Sequence, residues 1–62
     1  MEGFVLQHTT KGTYVSRPNS ASSYTSHINN IRVYANRDSA MRDMCRESEV
    51  IRRLDEVIGM GL

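Results

Sequence analysis

Residues 31–42, Ile-Arg-Val-Tyr-Ala-Asn-Arg-Asp-Ser-Ala-Met-Arg, constrain the fold more than any other stretch of this chain. Ile31 and Val33 alternate with Arg32 and Tyr34, which is the period of a half-buried strand. Asn36 then offers a side-chain acceptor to the first amides of a helix, and Asp38 puts negative charge near the positive end of its dipole. A strand running directly into a capped helix predicts a helix laid on a sheet. The join itself carries no chemistry.

The chain has 62 residues, enough for one small domain over 1–62. A domain of this size hides only about 60 % of the surface its unfolded chain exposes, leaving little room for both a core and a deep catalytic cleft. The Met1 start reads as a whole small protein. No apolar run is long enough to span a membrane, and the N-terminus lacks the basic and apolar regions of a signal peptide, so the expected location is cytoplasmic. The single cysteine, Cys45, excludes an internal disulfide. Its expected role is that of a small buried residue on the helix.

Eight basic residues face seven acidic ones, for a net charge of +1, which is weak for a protein that tracks phosphates. All the basic residues except Lys11 are arginine, the side chain better suited to bidentate and stacking contacts.

Phe4, Val5 and Leu6, then Lys11-Gly12, then residues 13–16 read as a hairpin. A two-residue turn at Lys11-Gly12 would put Phe4, Leu6 and His8 on one face with Val15, and Val5 and Gln7 on the other with Tyr14 and Ser16. Residues 17–30 are rich in Ser and Asn and contain Pro18, a composition that favours turns over packed core. They are expected to form a surface loop anchored by Tyr24 and Ile28, with a helical turn near 26–30. Beyond the strand at 31–34, Ala40, Met41, Met44 and Cys45 recur at helical spacing from about Arg37.

The last third admits two readings. Val50, Ile51, Leu54, Val57 and Ile58 fall at helical spacing and could prolong the helix. Alternatively, residues 49–54 form a closing strand that completes a helix-on-sheet layer pair. The preferred architecture is α+β: a small antiparallel sheet with one helix on one face, in the order β-β-β-α-β. Its alternative is three strands followed by one long C-terminal helix. Phe4, Leu6, Val15, Ile31, Val33, Ala40, Met41, Met44 and Leu54 are the expected core.

Tyr24-Thr25, then Ile31-Arg32-Val33-Tyr34, then Asn36-Arg37-Asp38-Ser39-Ala40 resemble the "YT…A+VF" and "S+EEA" stretches of small uncharacterised bacteriophage-type αβ proteins. The likeness runs in outline from Tyr14 to Ile58. It departs from the pattern at bulky Ile31 and in having no clear break before Glu49. The resemblance implies an accessory phage-type protein closed by an apolar strand, and it transfers no catalytic residue.

The chemistry-bearing residues are sparse. His8, His27 and Cys45 have no spacing that suggests a catalytic or metal set, and a metal site needs three or four convergent ligands. Asp43 and Glu47, one turn apart and interleaved with Arg42 and Arg46, read as solvated helix carboxylates. No glycine-rich phosphate loop is present. The expectation is a protein without catalytic residues, cofactor or metal, which acts by covering a surface on a larger protein, as a modulator or inhibitor of a host protein. Tyr14, Arg17, Tyr24, Arg32 and Tyr34 are the candidate partner-binding residues, since Tyr and Arg dominate contact hot spots. The competing reading has the same Arg and Tyr residues on an open sheet face, binding single-stranded nucleic acid. Apolar residues on both faces of 50–58 also suggest a homodimer.

Overall fold

The computed structural model describes residues 3–59. In chain order it contains β1 (Phe4–His8), β2 (Tyr14–Val15), β3 (Tyr24–Thr25), a 3-10 turn (Ile28–Asn30), α1 (Arg37–Asp43), β4 (Glu49–Arg53) and α2 (Leu54–Gly59). The four strands make one antiparallel sheet in the order β3-β2-β1-β4. The expected α+β class and β-β-β-α-β order are present, followed by a short second helix.

The hairpin forms with a register shifted by two residues from the one a Lys11-Gly12 turn would give, through a longer loop over 9–12. Gln7 faces Tyr14, and His8 accepts from Gly12 N–H (2.9 Å) while donating its own N–H to Thr13 (2.7 Å). His8 shapes the loop as well, its Nδ1 accepting from the N–H of Thr10 (3.2 Å) and of Lys11 (3.1 Å). Gly12 turns the chain at φ 73°, a conformation glycine adopts without a Cβ clash. Because the register moves by two and not by one, every side chain keeps its expected face.

The third strand is not where the alternation put it. Residues 31–34 form only two isolated bridges, Ile31 to Ser16 and Tyr34 to Phe4, whereas β3 lies inside the segment expected to be a bare loop. Ile31 packs with Val5, Tyr14, Leu54 and Val57, whereas Tyr34 packs with Leu6 and Ala40. Val5 and Leu6 are neighbours in one strand, so these clusters lie on opposite faces of the sheet. Ile31 and Tyr34, three positions apart in a segment bridged to the sheet at both ends, point to opposite faces and are both buried, whereas Val33, expected in the core, is 46 % exposed.

α1 starts as its sequence requires, with Asn36 Oδ1 accepting from Ser39 N–H at 2.9 Å and Asp38 in the first turn. It stops after Asp43, earlier than the apolar stripe implies. Met44 is extended, and residues 45–49 close a turn in which Cys45 C=O accepts from both Ser48 N–H (3.1 Å) and Glu49 N–H (2.7 Å). The Glu49 carboxylate holds the other side of that turn, accepting from Cys45 N–H at 2.8 Å. A carboxylate, not Gly or Pro, makes the break. Cys45 is therefore off the helix and exposed, not buried on it. A two-turn helix presents one residue per turn to the sheet: Ala40 is buried and Met44 half-buried, while Met41, expected in the core, is 40 % exposed.

Both readings of the last third are partly realised. Residues 49–53 are a strand paired with β1 from Phe4↔Arg53 to His8↔Glu49, and the chain then turns helical. Leu54, expected to end the strand, opens α2 and donates its N–H to Gly3 C=O at 3.0 Å. Leu54 and Val57 are buried one turn apart, against the face opposite α1. Among the described residues no long C-terminal helix forms, and the sheet is covered on both faces.

Candidate functional site

The five candidate contact residues do not share a surface. Tyr14 is buried in the core on the α2 side, beneath Gln7, whose Nε2 lies 3.4 Å from its hydroxyl. Tyr34 is buried on the α1 side, and its hydroxyl donates to Asp43 Oδ2 at 3.0 Å. The Arg32 guanidinium sits 4.9 Å from the centre of the Tyr34 ring and pairs with the same Asp43 oxygen at 3.5 Å. Burial first, and then the bond to Asp43, push the Tyr34 phenol up to about 12. Arg17 is exposed at the start of the Ser-rich loop. Tyr24 is half-buried and reaches from one edge of the sheet to the other. Its ring meets the His8 ring edge-on at 5.1 Å, and its hydroxyl donates to Glu49 Oε2 at 2.5 Å. That bond to Glu49 is the main reason its phenol is raised.

These contacts make Tyr14, Tyr24 and Tyr34 parts of the scaffold. Glu49, 7 % exposed, receives the Tyr24 hydroxyl on one oxygen and the Cys45 amide on the other, tying both sheet edges and the turn after α1 together. Nothing in the local pattern marked Glu49, since an acidic residue at the head of an apolar run reads as solvated. Its one signal is the interval of four residues to Cys45, the length of the turn it closes. The structure gathers His8 and Cys45 around this carboxylate and leaves His27 exposed in the loop. Among the described residues, no three His, Cys, Asp or Glu side chains are placed to hold a metal ion. No helix there is long and apolar enough to cross a membrane.

The surface that composition did not reveal lies beside β4. Met41, Met44, Val50 and Ile51 line a shallow groove with Arg37, Arg46 and Glu49. A second depression, lined by Asp38, Met41, Arg42 and Arg46, adjoins it through their shared Met41 and Arg46. Met41, 40 % exposed, is a large apolar side chain open to water with Arg37, Arg42 and Arg46 around it, and Val50, 37 % exposed, lies on the same edge with its side chain on the other face of the sheet. An apolar centre with an arginine rim matches the composition of contact surfaces.

The backbone of β4 completes this surface. β4 is an edge of the sheet, paired only with β1. Leu54 N–H donates to Gly3 C=O, and Thr9 N–H donates to Ser48 C=O at 2.8 Å. Antiparallel bonding alternates, so Val50 and Arg52 turn their backbone groups to β1, and Ile51 and Arg53 turn theirs outward. Among the described residues, no bond from outside the sheet reaches the Ile51 or Arg53 N–H.

No family model, curated protein or solved structure matches this chain.

Proposed function

We propose that this chain is a small non-enzymatic protein-binding module, a phage-type modulator or inhibitor of a host protein. It binds through the arginine-rimmed strip of Met41, Val50 and Ile51 beside the free edge of β4. The observation that carries this reading is the coincidence of open backbone donors with exposed apolar side chains on one edge. An unpaired edge invites another chain, and neighbouring apolar surface adds affinity that hydrogen bonds alone do not supply.

The competing reading, single-stranded nucleic-acid binding, needs tyrosine rings on an open sheet face. Tyr14 and Tyr34 are buried and both faces are covered, so base stacking on those rings has no surface. Arginine remains available for phosphates, and salt dependence separates the two readings. The test is affinity capture from host lysate, with and without nuclease, using the native chain and Met41→Asp. A protein partner retained after nuclease, lost with Met41→Asp and only weakly weakened by salt is the expected result. Partners that vanish with nuclease, together with a steep salt slope on bare oligonucleotide, would establish nucleic-acid binding instead.

A further inference from the structure

We propose that the depression where the end of β4 meets the start of α1 binds a small phosphate monoester, held between the guanidinium groups of Arg37 and Arg53. It lies apart from the strip at Met41 and Ile51 and shares only Arg37 with it.

The fold brings these two arginines to one place. Arg53 lies opposite Phe4 in the pairing of β4 with β1. Directly opposed residues share a face, and Phe4 packs with Leu6, Tyr34 and Ala40, so Arg53 projects from the α1 side of the sheet. Arg37 is the first residue of that helix. Backbone bonds hold both positions. Phe4 and Tyr34 exchange N–H···O bonds of 2.9 and 2.8 Å, which fixes the approach to Ala35 and α1. Leu54 N–H, next after Arg53, donates to Gly3 C=O at 3.0 Å. Gly3, Phe4, Ala35, Arg37, Arg53 and Asp55 thereby line one depression of about 420 Å³, within the roughly 300–1,000 Å³ of small-molecule sites.

Charge and shape select the ligand. Neither guanidinium donates to a side chain among the described residues. Asp55, the one acidic residue in the lining, has an interaction of its own, and a single carboxylate does not neutralise two arginines. Each planar guanidinium can give two parallel N–H bonds to oxyanion oxygens. A carboxylate fills one such fork, whereas a phosphate monoester offers three oxygens and nearly two negative charges at neutral pH. Phe4 and Ala35 are the apolar part of the wall, and a bare phosphate would leave them uncovered. The esterified organic group lies against them. A second depression holds Arg42 and Arg46, but side chains of α1 and the following turn alone form it, and Asp38 lies one helical turn from Arg42. It serves as the matched control.

The full chain titrated with phenyl phosphate at about pH 7.5 and constant ionic strength should show saturable NMR shifts at the Gly3, Phe4 and Ala35 amides and the Arg37 and Arg53 Nε–H groups. Inorganic phosphate should bind the same residues more weakly, and benzoate, with the same ring and one charge, more weakly than phenyl phosphate. Arg37→Gln and Arg53→Gln should each weaken phenyl phosphate about tenfold, and Arg53→Lys, which keeps the charge and loses the fork, should weaken it too. Arg42→Gln should change it less than about twofold. All three arginines are exposed, so these variants should keep the native amide spectrum. Shifts that never saturate, or that spread evenly over every arginine, mean non-specific attraction only and overturn the site. So does Arg42→Gln weakening binding as much as Arg53→Gln, or benzoate binding as well as phenyl phosphate. Arg53→Gln leaves Met41 and Ile51 in place, so this site and the protein-binding strip can each fail without the other.

Discussion

The two faces of the sheet are built on different principles. Against α2, Val5, Ile31, Leu54 and Val57 bury aliphatic surface, and Tyr14 is the one residue of that cluster with a polar tip. Against α1, Leu6 and Ala40 pack with Phe4, Val15, Met44 and Ile51, and the tyrosine and carboxylate pairs Tyr34–Asp43 and Tyr24–Glu49 border that layer. The α2 face is held chiefly by exclusion of water, a force without direction. The α1 face adds directional bonds that specify where a two-turn helix and a short edge strand sit. A small domain cannot bury enough for burial alone to place such short elements.

The comparison breaks first if one face is not a true core. Ile31→Ala on the α2 side and Leu6→Ala on the α1 side should each cost about 2–5 kcal/mol in urea denaturation. A loss below about 0.5 kcal/mol at Ile31 would mean that the α2 layer is only a cover.

The directional bonds come next in size. Glu49→Ala leaves the Tyr24 hydroxyl and the Cys45 amide without their acceptor and should cost about 1–3 kcal/mol. Faster hydrogen exchange at the Cys45 amide would localise the effect to the turn. Unchanged exchange there would show that the turn does not depend on the carboxylate.

Tyr34→Phe should have the smallest effect, about 0.5–1.5 kcal/mol at neutral pH, since Asp43 keeps Arg32 and contact with water. Its sharper signature is in alkali. The Tyr34 phenol titrates at about 12 in the fold against 10.0 unfolded, so the folded state holds the proton longer. Stability is then fully present below about pH 10 and falls as pH rises towards 12, as the unfolded phenol ionises first. Tyr24 shifts the same way and adds to the fall. Tyr34→Phe should flatten that loss in urea midpoints taken across the alkaline range; an unchanged slope would assign it to other groups.

Much of the α1 face was legible locally. The Asn36 cap, the hairpin and its face assignment and the burial of Leu6 and Ala40 all follow from nearest-neighbour chemistry, whereas the strand at 49–53 was favoured only by the need to complete a helix-on-sheet layer pair. The α2 face was not. Val5, Tyr14 and Val57 become core only because a second layer arrives, and Ile31 and Tyr34 are both buried, on opposite sides, because both faces of the sheet are covered. A period-two pattern at 31–34 sets those two residues on opposite faces, but read as a strand with one buried face it leaves Tyr34 outside the core.

The candidate surface divides in the same way. Residue type singled out tyrosine, yet the tyrosines serve the scaffold, because a hydroxyl with a partner lets a large ring be buried. Met41 looked like core by spacing and is exposed instead, because α1 has two turns, and Val50 is exposed because β4 has no neighbour on its outer side.

By itself the sequence determined the α+β class, the hairpin, the capped helix start and the absence of a recognisable catalytic motif, since these depend on backbone preference and on side chains close in the chain. Only the tertiary structure decided where the helix stops, which apolar residues lie inside and which strand edge stays open. Those outcomes depend on partners far apart in sequence: Tyr24 with Glu49, Gly3 with Leu54, and Phe4 with Tyr34. No local pattern encodes a contact whose other half lies dozens of residues away.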